Sequence, residues 1–370
     1  MNLSYWEIKS WLHNIDFTIV GSGIVGLSTA LFLKQRLPKS RILILDKGIL
    51  PQGASTKNAG FACFGSLSEI LHDLEHHSEQ EVVNLIHKRI TGLQLLRQSL
   101  GDKAIDYKPY GGYEIFLKND PDHTTSAKKI DEINALLYPI FGAPVYSKKS
   151  NKFNFSGVED SCIFNAFEGQ IDPGKMMLSL LNKVQNLGVK LLNNVTVESF
   201  EDLKNSIHIK TQKFDFKSRK LILTTNGFSG TLLPLPVEPA RAQVLITKPI
   251  ANLHIKGTFH LDRGYYYFRN IDNRIVLGGG RNLNFKEENT ANFGLTAQIQ
   301  NELERLLHDV ILPDTAFEID LRWSGIMGVG PQKTPLVFQH SDGVWVGVRM
   351  GGMGVAIGCG VGKQISELIQ

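Results

Sequence analysis

VGSGIVGLSTA, residues 20–30, sets Gly21, Gly23 and Gly26 in the spacing G-x-G-x-x-G. The residues before it, DFTIV (16–20), read as a short buried strand, and a helix follows from about Ile24 to Arg36. RILILD (41–46), two apolar pairs with no polar face, reads as a second buried strand that ends in Asp46. A strand, a glycine turn, a helix and a second strand closing on an acid form the fingerprint of a dinucleotide-binding βαβ unit. Gly21 permits the tight turn, Gly23 lets a pyrophosphate reach the backbone, and Gly26 lets helix and strand pack closely. The helix N-terminus offers free N–H groups and partial positive charge to the phosphates. Asp46 accepts a hydrogen bond from a ribose hydroxyl, and its charge repels a 2′-phosphate, which disfavours NADP.

The rest of the chain fits a large soluble protein. Its 370 residues exceed one ordinary domain, so two domains are expected. The composition, 42% hydrophobic and 21% charged, excludes disorder. Forty basic against 36 acidic residues, without a basic run, gives no sign of nucleic-acid binding. Three scattered cysteines, Cys63, Cys162 and Cys359, speak against a disulfide scaffold, a zinc site or a dithiol centre, and fit a reduced cytoplasmic compartment. No transmembrane segment or signal peptide is read. Trp6, Ile8, Trp11, Leu12 and Ile15 make a short amphipathic helix, expected to pack on the domain rather than to anchor in a membrane.

Glycine is concentrated. Seven lie in 21–65, three are Gly278–Gly280, and eleven lie in 325–362, out of 35. Glycine gathers where backbone turns sharply or approaches a ligand. Strand–helix–strand patterns stand at both ends of the chain, with helical periodicity over 67–100 and 127–138, strand character over 105–117, and a helix at 175–189. GYYYFR (264–269) and RIVLGGGR (274–281) read as two strands around a D-N turn, and PLPVEPA (234–240) as a domain crossing. The expected architecture is α/β. A discontinuous Rossmann-like domain comprises 1–66, 165–240 and 321–370. An inserted α+β substrate domain with a mixed or antiparallel sheet comprises 67–164 and 241–320.

The loop GILPQGASTKNAGFACFGS (48–66) separates the cofactor candidates, because an NAD domain returns to a helix at that point. Its GASTKNAG segment resembles the G-A-S-x-x-N-x-G signature of the FAD-dependent amine and amino-acid oxidoreductases. That family includes glycine oxidase, D-amino-acid oxidase, sarcosine oxidase and gamma-glutamylputrescine oxidoreductase. GQIDPGKMMLSLL (169–181), TTNGFSG (224–230), GYYYFRNIDNRIVLGGGR (264–281), LRWSG (321–325) and GVRMGGMGV (347–355) are similar to further family elements in the same order. The resemblance implies non-covalent FAD, extended through the first domain with its flavin at the domain interface. It implies a cofactor lining of Gly21, Gly23, Gly26, Asp46, Lys47, Ser55, Lys57, Asn58, Ala59 and Gly60. Val195 belongs near the adenine, with Gly227, Gly351, Gly352, Met353, Gly354 and Val355 completing the set. A cysteine of some sarcosine oxidases that carries flavin covalently has no counterpart in 325–335.

The chemistry implied is oxidation of a C–N bond, with hydride passing to flavin N5 and the imine then hydrolysing. Arg281 matches an active-site position of glycine oxidase and suits a carboxylate clamp, because its planar fork binds carboxylate bidentately. Tyr265, Tyr267 and Arg269 are further candidates for the substrate pocket, and Arg349 a weaker one. The sequence also departs from the family. Gly352 stands where glycine oxidase has a carboxylate-binding arginine, and Met353 where sarcosine oxidase has a histidine, so neither substrate is assumed. A flavoprotein acting on a modified nucleoside or peptide amine, and a non-catalytic flavin-binding protein, are the alternatives. Small-molecule amines are the expected partners, with oxygen or a carrier accepting electrons. His72, His76 and His77 sit among acidic residues and are read as solvated helix rather than metal ligands.

Overall fold

The computed structural model describes residues 2–369. In chain order it runs β1 (Ile15–Val20), α1 (Ile24–Arg36), β2 (Ile42–Leu45), α2 (Leu67–His76) and α3 (Glu79–Leu100). Next come β3 (Gly112–Glu114), α4 (Pro121–Phe141), β4 (Tyr146–Ser150), β5 (Ser161–Asn165), α5 (Pro173–Asn186), β6 (Lys190–Leu192) and β7 (Asp215–Leu223). The second half holds β8 (Glu238–Thr247), β9 (Thr258–Leu261), β10 (Tyr266–Ile271), β11 (Arg274–Gly279), β12 (Ile319–Val329), β13 (Leu336–Ser341), β14 (Val344–Val348) and α6 (Gly354–Leu368).

Two large sheets organise these elements. The first has the order β13-β14-β7-β1-β2-β6, parallel except for β13, with Val197–Asp202 and Ile207–Thr211 extending from β7. Its strands are apolar on both faces: all of Ile42–Leu45 and all of Val344–Val348 are buried. Helices on the faces require this pattern. The second sheet has the order β12-β8-β11-β10-β9-β3-β5-β4 and is antiparallel except for the β9–β3 pair. The β10–β11 turn places Asp272 and Asn273 at φ 48° and 57°, the positive values a two-residue hairpin turn demands.

The expected α/β architecture, with a mixed second sheet, is what the strands build. Several boundaries shift. β12 pairs with β8 over its whole length, so LRWSG lies in the second sheet and the chain returns to the first after Val329, not before Leu321. The 67–100 helix is two, broken where Ser78 caps α3. Strand character in 105–117 shrinks to Gly112–Glu114, while α4 outgrows its expected span at both ends. The N-terminal helix does not pack as expected. Only Leu12 is buried, and Tyr5, Trp6, Ile8 and Trp11 are exposed. Among the described residues, no helix is long and apolar enough to cross a membrane.

Candidate functional site

A cavity of about 870 Å³ runs from the C-terminal end of β1 and β2 to the face of the second sheet. At its first end Gly21 stands at φ 104°, with an N–H that donates to Leu45 O at 2.8 Å. Gly23 caps α1 without a side chain, and a Cβ there would lie 3.1 Å from Ser55 Oγ. Gly26 does not line the cavity. A Cβ on it would meet Gly21 O at 2.0 Å, so its role is close packing of turn on helix. Asp46 is buried. One oxygen accepts from Ser22 N and Oγ at 2.9 and 2.6 Å, and the other from Gly48 N at 2.9 Å. It keeps its place in the cavity wall beside Val195, Thr196, Val197 and Glu198. Lys47 also lines the cavity. Its ammonium sits 3.3 Å from the Phe228 ring centre, and burial pushes its pKa down.

The loop 53–60 forms the middle of the wall. Ser55 Oγ accepts from Ile24 N at 2.9 Å, so the loop caps the helix that would face the phosphates. Asn58 braces the loop, donating to Ala54 O and Ser55 O at 3.1 and 2.9 Å and accepting from Gly60 N at 2.8 Å. Ser55, Lys57, Asn58 and Ala59 line the cavity, whereas Gly60 does not. A Cβ on Gly60 would sit 2.3 Å from Ile171 O, and its φ of 78° also demands glycine. The second sheet holds the loop in place. Trp323 Nε1 donates to Lys57 O at 2.9 Å, and Gly325 leaves room for the Lys57 side chain. Arg269, expected in the substrate pocket, is outside it. Its guanidinium is buried and donates to the carbonyls of Ala59, Ile171 and Asn270. Arg349 likewise binds backbone, at Thr334 O and Pro236 O.

At the far end Gly351 and Gly352 have φ of 57° and 81° and, with Met353, Gly354 and Val355, lead into α6. Asn226 Oδ1 accepts from the N–H groups of Arg349 and Met350 and fixes this turn. Gly227 is not in the wall. It lets the 226–231 turn approach Met327 O, which a Cβ would meet at 2.3 Å. Cys63 Sγ touches Met353 Sδ at 3.8 Å across the cavity floor.

His260 and Tyr267 bring the second sheet to the cavity, and they are neighbours in one cross-strand row: Glu114, His260, Tyr267, Gly278, Val244 and Trp323. Tyr267 lies over Gly278, where a Cβ would come within 2.7 Å of its ring, and stands edge-on to Phe61. Burial pushes the Tyr267 phenol up to about 12, so it stays a neutral donor. Tyr265 and Arg281 line the same space. Arg281 Nε is buried with no hydrogen-bond partner, its guanidinium lies 4.9 Å from the Phe285 ring, and burial pushes its pKa down. Among the described residues no carboxylate lies within ion-pair distance of it; Glu238 and Glu288 act on it only from further away.

The sequence reading missed a buried charged network here. His260 Nε2 donates to Glu168 Oε1 at 2.5 Å, and Thr258 Oγ1 donates to the same oxygen at 2.9 Å. Lys333 bridges Glu69 and Asp73 at 3.1 and 2.6 Å, with Arg89 3.7 Å from Glu69. His260, Glu69 and Lys333 all line the cavity. One signal was available: counting back across the Asp262–Gly264 turn from Tyr267 lands on His260 as its hairpin partner. His72 reaches the cavity mouth, but it pairs with Glu75 at the surface.

The cradle fits an extended dinucleotide with a ring system at its second end. Comparison decides which. The family model of the DAO family, FAD dependent oxidoreductases, matches residues 16–368. The chain belongs to that family. It is therefore an FAD-dependent oxidoreductase. The probable oxidoreductase OrdL of Haemophilus influenzae is 20% identical over 97% of this chain and 83% of its own length. Glycine oxidase from Geobacillus kaustophilus shares the fold at a TM-score of 0.79 and 17% identity, covering 96% of this chain and 95% of that one. L-proline dehydrogenase from P. horikoshii does so at 0.76 and 19%, covering 96% and 93%. The loop 53–60 and LRWSG (321–325), two of the segments that carry the family resemblance, meet physically at Trp323 and Lys57.

Proposed function

We propose that the protein oxidises the C–N bond of an amino acid or amine that carries a carboxylate. The observation that carries this reading is Arg281: a guanidinium in the cavity wall, with Nε unpartnered and Glu238 and Glu288 acting on it only from beyond ion-pair distance. A buried donor without a partner is costly, so a site that keeps one is built for a ligand that supplies the acceptor. Its planar fork selects carboxylate. Bound FAD supplies the hydride acceptor. The chain's own residues do the rest. Arg281 orients the substrate by its carboxylate, Tyr265 and Tyr267 shape the pocket around its carbon chain, and Phe61, Met327 and Met353 keep the reacting end dry. The carboxylate clamp favours this reading over a nucleoside substrate.

The protein purified with FAD should bleach anaerobically with at least one of a panel: glycine, L-proline, iminodiacetate, other amino acids and simple amines. Readmitting oxygen then separates oxidase from dehydrogenase. Arg281→Ala should keep FAD and raise KM for the carboxylate substrate by tenfold or more. An unchanged KM sinks the clamp, and a colourless protein that takes up no FAD sinks the reading.

A further inference from the structure

The cavity wall contains one buried imidazole to which orienting the substrate gives no task. His260 is 6% exposed and stands next to Tyr267 in the cross-strand row that faces the cavity. Glu168, 1% exposed, accepts a hydrogen bond from its Nε2 at 2.5 Å. Thr258 anchors the same carboxylate oxygen, and Gly112 leaves the room that Glu168 occupies. Phe61 stands edge-on to the ring at 5.2 Å. The ring is thus oriented from one nitrogen and one flank, while Nδ1 has no hydrogen-bond partner among the described residues. A pair that served only to tie strand to loop would be sealed from the cavity, whereas here His260 lines it with Glu168 behind.

We propose that His260, oriented by Glu168, is the base that takes the proton of the bound substrate ammonium at Nδ1. The proposal rests on the amine-oxidation reading above. The step is proton transfer alone. The substrate N–H bond breaks, its electron pair stays on the amine nitrogen as the lone pair that oxidation requires, and an Nδ1–H bond forms. Nothing is oxidised or reduced. The charge arithmetic favours it. Before the step the buried space holds an ammonium and a Glu168 carboxylate. Afterwards it holds an imidazolium hydrogen-bonded to that same carboxylate. The positive charge moves onto a ring that is hydrogen-bonded to a carboxylate, so no new unpaired charge is buried. A carboxylate behind the imidazole is also how such bases are held in one tautomer.

Several titratable groups face the ring. Glu168 comes from the turn before the Gly169–Gln170 strand, Glu114 from β3, Glu69 from α2, Cys63 from just after the Phe61–Ala62 strand and Tyr267 from β10. Lys333 and Arg89 neutralise Glu69. Burial alone would lower the ring's pKa, but Glu168, then Glu114 and Glu69, outweigh it and hold the pKa above the ordinary 6.5. A rate that needs the neutral ring therefore rises with pH through that raised value and levels off above it. Without the base, free amine must come from solution, and its fraction climbs tenfold per pH unit up to the amine's own pKa.

The test is the anaerobic bleaching rate of the flavin-loaded protein from pH 6 to 9, using the amine of the panel above that bleaches fastest. Wild type should level off. His260→Gln should be slower at pH 7 by 100-fold or more, in the range general bases contribute, and should climb tenfold per pH unit with no plateau. Glu168→Gln should keep the plateau but move its onset to lower pH. The His260 imidazole carbon resonance of the substrate-free holoprotein should titrate above pH 6.5 in wild type and lower in Glu168→Gln. A His260→Gln protein that keeps the wild-type rate and plateau overturns the base and leaves amine oxidation standing. If no amine in the panel bleaches wild type, the reading of the reaction falls and the base with it. If His260→Gln loses FAD, Glu168→Gln decides, and an unmoved onset together with an unmoved imidazole titration overturns the proposal.

Discussion

Arg269 and Arg281 sit on one hairpin and do opposite things. Both follow from the period of two along a strand, which puts Tyr267 and Arg269 on the same face. The face is legible in the sequence. Which row of that face opens on the cavity is not, because docking of the loop 53–60 on the sheet decides it. The Tyr267 row meets the cavity, and the Arg269 row, one step further, meets the carbonyls of Ala59 and Ile171. Burial pushes the Arg269 guanidinium down to about 10, still charged at neutral pH. Arg269→Met keeps the length and removes the donors. Each buried carbonyl left without a partner costs about 1–3 kcal/mol, and roughly 1.4 kcal/mol is a factor of ten in affinity. FAD should therefore bind Arg269→Met at least tenfold more weakly by flavin-fluorescence titration, with little change in substrate KM once FAD saturates. The opposite pattern would return Arg269 to the substrate pocket. His260 illustrates what a sequence hides. Its partner Glu168 lies far away in the chain, and neither residue belongs to a spacing that means anything alone.

At the scale of elements, the C-terminal glycines divide. In the sequence the eleven between 325 and 362 form one cluster, marking sharp turns or close approach to a ligand. Gly351, Gly352 and Gly354 do line the cavity, as does Gly325. The glycines inside α6 do not. A Cβ on Gly358 would lie 2.6 Å from Ile24 Cγ2, and one on Gly362 2.5 Å from Ser28 Cβ and 2.7 Å from Thr29 N. They let α6 press against α1, the helix whose N-terminus the first glycine fingerprint sets. On its other side Gly92 of α3 lets that helix approach Ala356 O, which a Cβ would meet at 2.4 Å. Glycine content shows that backbone comes close to something. Only the tertiary contact shows whether that something is a ligand or a helix. The distinction has a sign test. Gly362→Ala overpacks a site with backbone behind it and should cost about 1–3 kcal/mol. Gly360 sits on the same helix with nothing nearer than 3.4 Å. There alanine should be neutral or stabilise by up to about 1 kcal/mol, from helix propensity and a less free unfolded chain. Thermal melting of the two holoproteins should move in these different directions, and equal losses would refute the packing account.

At the scale of the molecule, the chain passes back and forth between two sheets, and ion pairs fasten one to the other. The βαβ unit and the final strand–loop–helix were legible because their pairings are local or their spacings diagnostic. The affiliation of β12 was not, since it is fixed by a partner, β8, about eighty residues earlier. The fastening was equally hidden. Lys333, on the loop between β12 and β13, reaches Glu69 and Asp73 on α2, and Arg89 of α3 stands behind Glu69. Burial by itself would raise the Glu69 pKa, but Lys333 and then Arg89 outweigh it and hold the carboxyl below its ordinary value. A carboxyl depressed on folding stabilises the native state above its unfolded pKa, about 4.3 for glutamate, and loses that contribution as pH falls through the folded value. The stability it lends should therefore be complete at pH 6 and vanish progressively on acidification below about 5. Glu69→Gln removes the titrating group but keeps its shape. It should melt lower than wild type at pH 6, because Lys333 then keeps only Asp73 and Arg89 loses its carboxylate partner. The difference should shrink steadily as both proteins are taken to pH 3.5. Because the cluster joins the loop after β12 to α2 at the cavity mouth, the same acidification should weaken FAD retention in wild type more than in Glu69→Gln. A gap in melting temperature that stays constant from pH 6 to 3.5 would show that Glu69 is not the group that titrates, and that the fastening between the two halves is not electrostatic.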